Sequence, residues 1–305
     1  MTDIIVVGGG PAGMTAALYA RRNNKTVLVL EKNGFGGQIT YSPKVENIPG
    51  NLQISGNEFA EKFLDQILAQ GAEIDFAAVT GLTKTETGFT VHTDGGDFES
   101  RAVILATGVK HRMLGLEGEN ELVGQGISFC AVCDGEFYRD RTVVVAGGGN
   151  SALQEAILLT ENCKEVIMVQ DLDFFTGEKK SQDVLFSRPN VKAITGTTLK
   201  ELRVEDGKLT GVVTEKTATG ERNTIPCDGL FVAIGLIPEN GAFADLASLN
   251  DWGYFDSAED CLTKTEGLFV AGDCRSKSLR QVVTASADGA MAAAGGRRRS
   301  AAWCA

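Results

Sequence analysis

Two stretches of the chain carry the same order of apolar and polar positions. The apolar run Ile4–Val7 leads into glycines at 8–10, a helical run to Arg22, and the apolar run Thr26–Leu30. The order returns as Thr142–Ala146, glycines at 147–149, a helical run to Leu159, and Glu165–Val169. Each predicts strand, turn, helix and strand, the βαβ unit of a dinucleotide-binding fold. Gly229–Ile234 and Leu268–Ala271 are short continuous apolar runs, as in strands buried on both faces. Thr80–Thr93 and Arg101–Leu105 read as strands, with turn signals at Thr93–Gly96. Leu202–Val204 and Leu209–Glu215 read as a hairpin around Asp206-Gly207. These patterns predict an α/β class with two Rossmann-like, three-layer dinucleotide-binding domains, which 305 residues accommodate.

The turn residues carry the first chemistry. In Gly8-Gly9-Gly10-Pro11-Ala12-Gly13, the first glycine permits a tight turn and the next lets backbone N–H groups reach a pyrophosphate. The last position must be small so that helix and strand pack closely, and Gly13 and Ala152 both satisfy this. The helix that follows offers unpaired N–H donors to phosphate. One such motif is weak evidence; Gly147-Gly148-Gly149-Asn150-Ser151-Ala152 is a second in the same context. Two nucleotide sites are therefore expected. Glu31 ends the second strand of the first unit at the spacing of an acid that accepts from ribose hydroxyls. In the second unit that strand end reads Gln170-Asp171-Leu172, and Val169–Thr176 contains no arginine to hold a 2′-phosphate. Asp171 and Asp173 would repel such a phosphate by about 1–4 kcal/mol for a close surface pair.

A net charge of −11 argues against a nucleic-acid partner, because phosphate neutralisation needs a basic face. Arg297, Arg298 and Arg299 form the one basic run and read as a solvated tail. Ile4–Val7 is too short for a secretory leader. No apolar stretch approaches the roughly 20 residues of a membrane span. A cytoplasmic protein is expected. Of seven cysteines, Cys163, Cys227, Cys261, Cys274 and Cys304 are scattered, as in a reducing compartment. Cys130 and Cys133 have two residues between them, a spacing for a redox dithiol. Half of a zinc site is the other reading, but the chain has only His92 and His111 and no second C-x-x-C, so no metal is expected. Asp134 beside the pair can exchange a proton during thiol chemistry or cap a turn.

With these motifs in place, the chain resembles the low-molecular-weight, bacterial-type thioredoxin reductases from Asp3 to about Ala293. The matching blocks are Gly8–Gly13, Gly36-Gly37-Gln38, Val45-Glu46-Asn47, Ala106-Thr107-Gly108, Cys130–Gly135, Gly147–Ala152, Phe231–Gly235, Ala271-Gly272-Asp273 and Arg280-Gln281. The resemblance implies a discontinuous FAD domain, 1–115 and 241–305, with a pyridine-nucleotide-type domain, 116–240, inserted in it and carrying the dithiol. It implies that Gly8, Gly10, Pro11, Ala12, Gly13 and Glu31 hold the FAD pyrophosphate and ribose. Gly37, Gln38, Asn47, Gly108, Asp273, Arg280 and Gln281 match positions around the flavin and its chain. It implies that Cys133 receives electrons from the flavin, that Cys130 attacks the partner's disulfide, and that Asp134 is the acid. The partner would be thioredoxin or a thioredoxin-like protein, and the enzyme a homodimer. In the family the nucleotide domain turns about linkers that fall here near Leu114–Glu117 and Ile237–Gly241, and Gly115, Gly118 and Pro238 read as their hinge punctuation.

Two departures stand out. The family places a His-Arg-Arg triplet and a further arginine where this chain has Gln170, Asp171, Leu172 and Thr176. Gly147, Gly149, Asn150 and Ser151 remain as a second nucleotide site. The donor stays open among NADH with Asp171 on its 2′-hydroxyl, weakly held NADPH, and ferredoxin. The tail through Trp303 and Cys304 replaces an amphipathic helix; it reads as a frayed end, or as a cover and relay for the flavin. Two further readings are a flavin-dependent dithiol oxidase and a redox or dinucleotide sensor. Oxygen uptake with dithiols would favour the first, and Asp134 beside an intact dithiol speaks against the second.

Overall fold

The computed structural model describes residues 1–42 and 45–299, without the side chains of 296–299. The expectation for Trp303 and Cys304 lies outside the described residues. The chain forms two compact units: Met1–Lys110 together with the chain from Ile237 onward, and His111–Leu236.

In the first unit a seven-stranded sheet has Thr2–Val7 at its centre, between Val27–Glu31 and Gly96–Leu105, all parallel. Glu73–Phe76 extends it beyond Val27–Glu31. Gly96–Leu105 has two kinds of neighbour: its start pairs antiparallel with Phe89–Thr93, and its end pairs parallel with Leu268–Val270. The stretch 80–93 is two strands rather than one run, Val79–Lys84 and Phe89–Thr93, paired antiparallel. Between them Thr85 N–H donates to the Gly88 carbonyl at 3.0 Å. A side chain at Gly88 would fall on the Ser100 carbonyl, so the chain turns where it has no Cβ. The helix Pro11–Arg22 starts on proline, whose missing N–H costs nothing at that position. Its alanine face (Ala12, Ala16, Ala17, Ala20) is buried with Ile4, Val6 and Ile104. The helix Val282–Arg299 packs on it so closely that any Cβ at Gly289 would meet the Ala12 carbonyl.

The second unit holds a five-stranded parallel sheet in the order Val191–Ile194, Glu165–Val169, Thr142–Ala146, Gly229–Val232, Ile127–Ser128. Apolar clusters cover both faces, which is why its strands read as unbroken apolar runs. Thr197–Glu205, Lys208–Lys216 and Arg222–Pro226 form a separate antiparallel sheet. Its hairpin turns at Asp206 and Gly207 with φ of 50° and 74°, the left-handed pair that an Asp-Gly turn supplies.

Candidate active site

The strand Ile127–Ser128 ends at the sheet edge, and the chain then enters a single helical turn, Ala131–Asp134, with Cys130 as its N-cap. This turn brings Cys130 and Cys133 to a Cα–Cα distance of 5.3 Å, and they are joined as a disulfide. Cys133 N–H donates to Cys130 Sγ at 3.2 Å. The Ser128 hydroxyl ties the segment together: it accepts from Cys130 N–H at 3.1 Å and donates to Asp134 Oδ2 at 2.6 Å. Asp134 Oδ1 is buried without a partner among the described residues. Burial raises the Asp134 pKa above the ordinary carboxylate value, and the Ser128 bond opposes this.

Sequence reading missed three neighbours. Glu155, on the helix Asn150–Leu159, accepts from Ala131 N–H across 24 residues of sequence. Burial raises its pKa, and the charge of Asp134 adds to the effect. His111 stacks on Phe129 with ring centroids 4.3 Å apart, and burial lowers its pKa to about 4. Ser128 is the third. None lies within a recognisable local motif, so only the fold reveals them. Cys163, Cys227, Cys261 and Cys274 are buried free thiols, and burial pushes each of their pKa values up, to about 11 for Cys163 and about 12 for Cys227 and Cys261. They are poor nucleophiles for that reason.

In the first unit the glycine turn is tightly built. Gly8 has φ +110°, and a Cβ there would fall on the Ala106 carbonyl; one at Gly13 would fall on the Gly8 carbonyl. Glu31 Oε2 accepts from Gly9 N–H at 2.7 Å, and Oε1 accepts from Asn33 N–H at 2.9 Å. Gly36 N–H donates to the Gly9 carbonyl at 2.9 Å, and Gly37 lies against Gly10. Gln38 is exposed on the adjoining turn Gly37–Tyr41. Asn47 Nδ2 donates to Gln281 Oε1 at 3.0 Å. Gly108 follows Thr107, whose hydroxyl donates to Asn240 Oδ1 at 2.9 Å. Gly272 closes on Ala12 beside the first turn, and Arg280 stacks over the Tyr254 ring at 4.3 Å with its Nε donating to the Asp273 carbonyl at 3.3 Å. Asp273 is half-buried, its enclosed Oδ1 is unpartnered among the described residues, and desolvation raises its pKa against the pull of Lys277 and Arg280.

The second turn opens on a cavity of about 660 Å³, lined by Gly149, Asn150, Ser151, Gln170, Asp171 and Arg112 among others. Gln170 occupies the place beside Gly148 that Glu31 takes beside Gly9: a Cβ on Gly148 would meet its carboxamide at 2.5 Å. Its Nε2 donates to the Phe174 carbonyl at 3.4 Å. Asn150 Oδ1 accepts from Glu178 N–H at 2.7 Å. Asp171 is exposed, with Oδ1 accepting from Leu172 N–H at 2.9 Å. Arg112 is the one cation lining this cavity among the described residues.

A disulfide beside a buried acid, in a chain with two glycine-turn nucleotide folds, matches a family profile described as pyridine nucleotide-disulphide oxidoreductase over residues 2–289. The chain belongs to that family. Within it, thioredoxin reductase from Listeria monocytogenes is 39% identical over 95% of this chain and 91% of its own. A Clostridium pasteurianum protein described as a 34.2 kDa protein in the rubredoxin operon is 38% identical, covering 95% of this chain and 94% of its own. Among solved structures, thioredoxin reductase from Streptococcus pyogenes is 38% identical with a TM-score of 0.92 over 97% of each chain. The pyridine nucleotide-disulphide oxidoreductase described here is an FAD-using enzyme that acts on sulfur groups. Among the described residues, no helix is long and apolar enough to cross a membrane.

Proposed function

We propose that this enzyme is a thioredoxin-disulfide reductase whose electron donor is not NADPH. The observation that carries the reading is the Cys130–Cys133 disulfide with the buried acid Asp134 in the same helical turn.

The first unit suits FAD. Its glycine turn leaves a cradle that any Cβ at Gly8 or Gly13 would fill, and Asp273 holds an unpartnered buried oxygen. Gly8, Gly10, Pro11, Ala12 and Gly13 would take the pyrophosphate on backbone N–H groups. Each Glu31 oxygen accepts one N–H and keeps a lone pair for a ribose hydroxyl. Gly37, Gln38, Asn47, Gly108, Asp273, Arg280 and Gln281 would complete the site. What FAD supplies when bound is the electron pair that opens the disulfide. Asp134, whose pKa burial raises, follows Cys133 in the same turn and can carry a proton there. It can give that proton to the sulfur released when the disulfide opens. It takes a proton back as Cys133 closes on the mixed disulfide that Cys130 forms with thioredoxin.

The cavity at Gly147, Gly149, Asn150 and Ser151 supports NADH as donor, with Asp171 at its rim for the ribose 2′-hydroxyl. Arg112 alone offers a weak counterpart to a 2′-phosphate. A cytoplasmic homodimer is part of the same proposal, and light scattering of the purified enzyme checks the dimer. Anaerobic stopped-flow bleaching of the bound flavin tests the donor. Fast bleaching by NADH and slow bleaching by NADPH is expected. Bleaching by reduced ferredoxin alone would remove the nucleotide part of the reading. Oxygen uptake with small dithiols exceeding thioredoxin reduction would replace the reductase with a dithiol oxidase.

A further inference from the structure

Asp134 is not the only carboxyl group at the dithiol. Glu155 reaches from the neighbouring helix Asn150–Leu159 to the Ala131 N–H, the peptide that directly follows Cys130. The Cys130 sulfur accepts from Cys133 N–H in that same helical turn. One carboxyl group and one sulfur thus draw on the N–H groups of a single turn four residues long. The groups facing Glu155 do not neutralise it. Asp134 lies on the turn itself, with a burial-raised pKa, and its charge raises that of Glu155 further. Among the described residues, no lysine or arginine pairs with Glu155. Gln154 and Ser151 on its own helix carry no charge.

Chemistry then sets two states against each other. A thiolate on Cys130 and a carboxylate on Glu155 would place two negative charges on one short run of N–H donors. Only one of them is accommodated at modest cost in a buried setting. Opening the disulfide with two electrons and two protons gives two thiols. Ionising Cys130 then releases one proton, and a nearby carboxylate can take it, leaving thiolate and neutral acid. Proton and charge balance without any further reagent.

We propose that Glu155 is a positioning residue of the dithiol site: it holds the first peptide of the Cys130–Cys133 turn and exchanges a proton as Cys130 becomes the attacking thiolate. This rests on Cys130 being the attacking thiol, as proposed above. Glu155 does not touch the partner or the flavin in this role; it acts through Cys130. Its amide replacement separates the two parts of the role, since a glutamine oxygen still accepts from Ala131 N–H but binds no proton.

The test is alkylation of the reduced holoenzyme by iodoacetamide as a function of pH, with the modified peptide identified by mass spectrometry. The buried free thiols react slowly and give a low background. In the native enzyme, the Cys130 rate should rise with pH in two steps, as coupled groups require. In Glu155→Gln, with flavin content unchanged, it should rise in a single step and be roughly tenfold faster between the two native steps, the change expected for about one pKa unit. Glu155→Ala should show the single step and also slower re-formation of the disulfide, because the turn loses its clamp. A Glu155→Gln profile that superimposes on the native one would overturn the proposal and leave Cys130 as the nucleophile. A native profile with only one step would overturn it without any variant. Alkylation confined to Cys133 would instead overturn the assignment of Cys130 on which the proposal stands.

Discussion

At the scale of single residues, the dithiol site combines groups legible in the sequence with groups that only folding assembles. Cys130, Cys133 and Asp134 sit within five consecutive residues, so their spacing announces their chemistry. Ser128 and Glu155 lack any such signal: a serine two residues upstream and a glutamate on another helix look like solvated polar positions until the turn closes between them. The division of labour gives clear expectations. Cys130→Ser should keep flavin reduction by the donor but lose thioredoxin reduction, and Cys133→Ser should block electron flow out of the flavin. Absorbance of the flavin and thioredoxin-coupled turnover read the two steps separately. Asp134→Asn should slow turnover by about 10²–10⁴-fold, the usual weight of a positioned acid. The same change alters the pH dependence of stability. Because the folded Asp134 binds its proton more tightly than the unfolded chain does, native stability falls as pH rises from about 4 to the folded pKa. The asparagine variant escapes that loss, so its melting temperature should gain on the native enzyme across this window. His111 works in the opposite direction. Its folded pKa of about 4 lies below the unfolded value of about 6.5, so stability falls as pH drops between the two, by at most about 3 kcal/mol. Melting of His111→Phe should be flatter over that range.

At the scale of elements, apolar continuity made the buried parallel strands visible, and Asp206-Gly207 fixed the hairpin. Strands at sheet edges were less visible. Glu73–Phe76 and Arg222–Pro226 expose most of their residues, so neither shows the alternation that a half-buried strand would. The turn at Gly88 was hidden among threonines that suit strand and loop alike. The long helix Val282–Arg299 bears a second buried acid with a structural task. Asp288 takes Arg275 at 2.7 and 2.8 Å, Lys277 at 2.8 Å and the Gly272 N–H at 2.9 Å. These bonds fix the turn that carries Asp273. The Asp288 pKa is lowered because both cations outweigh the opposing effect of burial. Its stabilisation is therefore present above the unfolded carboxylate value of about 3.9 and lost as pH falls through the folded one. Asp288→Asn takes the carboxylate from Lys277 and leaves Arg275 only the exposed Glu259, and should cost about 3–5 kcal/mol, seen as an earlier urea midpoint together with weaker flavin retention. Gly13→Val attacks the first turn more directly. Its side chain must displace the Gly8 carbonyl, so the purified protein should lose most of its yellow colour.

At the scale of the whole molecule, the two nucleotide folds share a plan but differ at one corresponding position. Glu31 binds the first turn through Gly9, whereas Gln170 lies against Gly148 without accepting from it. The sequence displayed this difference plainly, since both residues end the second strand of their unit. Its consequence for the donor belongs to the cavity as a whole, where Asp171 stands against a single cation, Arg112. Installing arginines together at Asp171 and Leu172 should lower the KM for NADPH at least tenfold and raise that for NADH, measured by flavin bleaching.

Ribosomes deliver this chain from one end, and its layout imposes a schedule. Leu268–Val270 and Val282–Arg299, which finish the first sheet and cover the alanine face of Pro11–Arg22, emerge only after all of His111–Leu236. The half made first must therefore wait, its small-residue surface bare, while the half made later closes ahead of it. Nascent chains stalled once Leu236 has just cleared the ribosome should already resist protease over the later half, and should hold a chaperone on the earlier one.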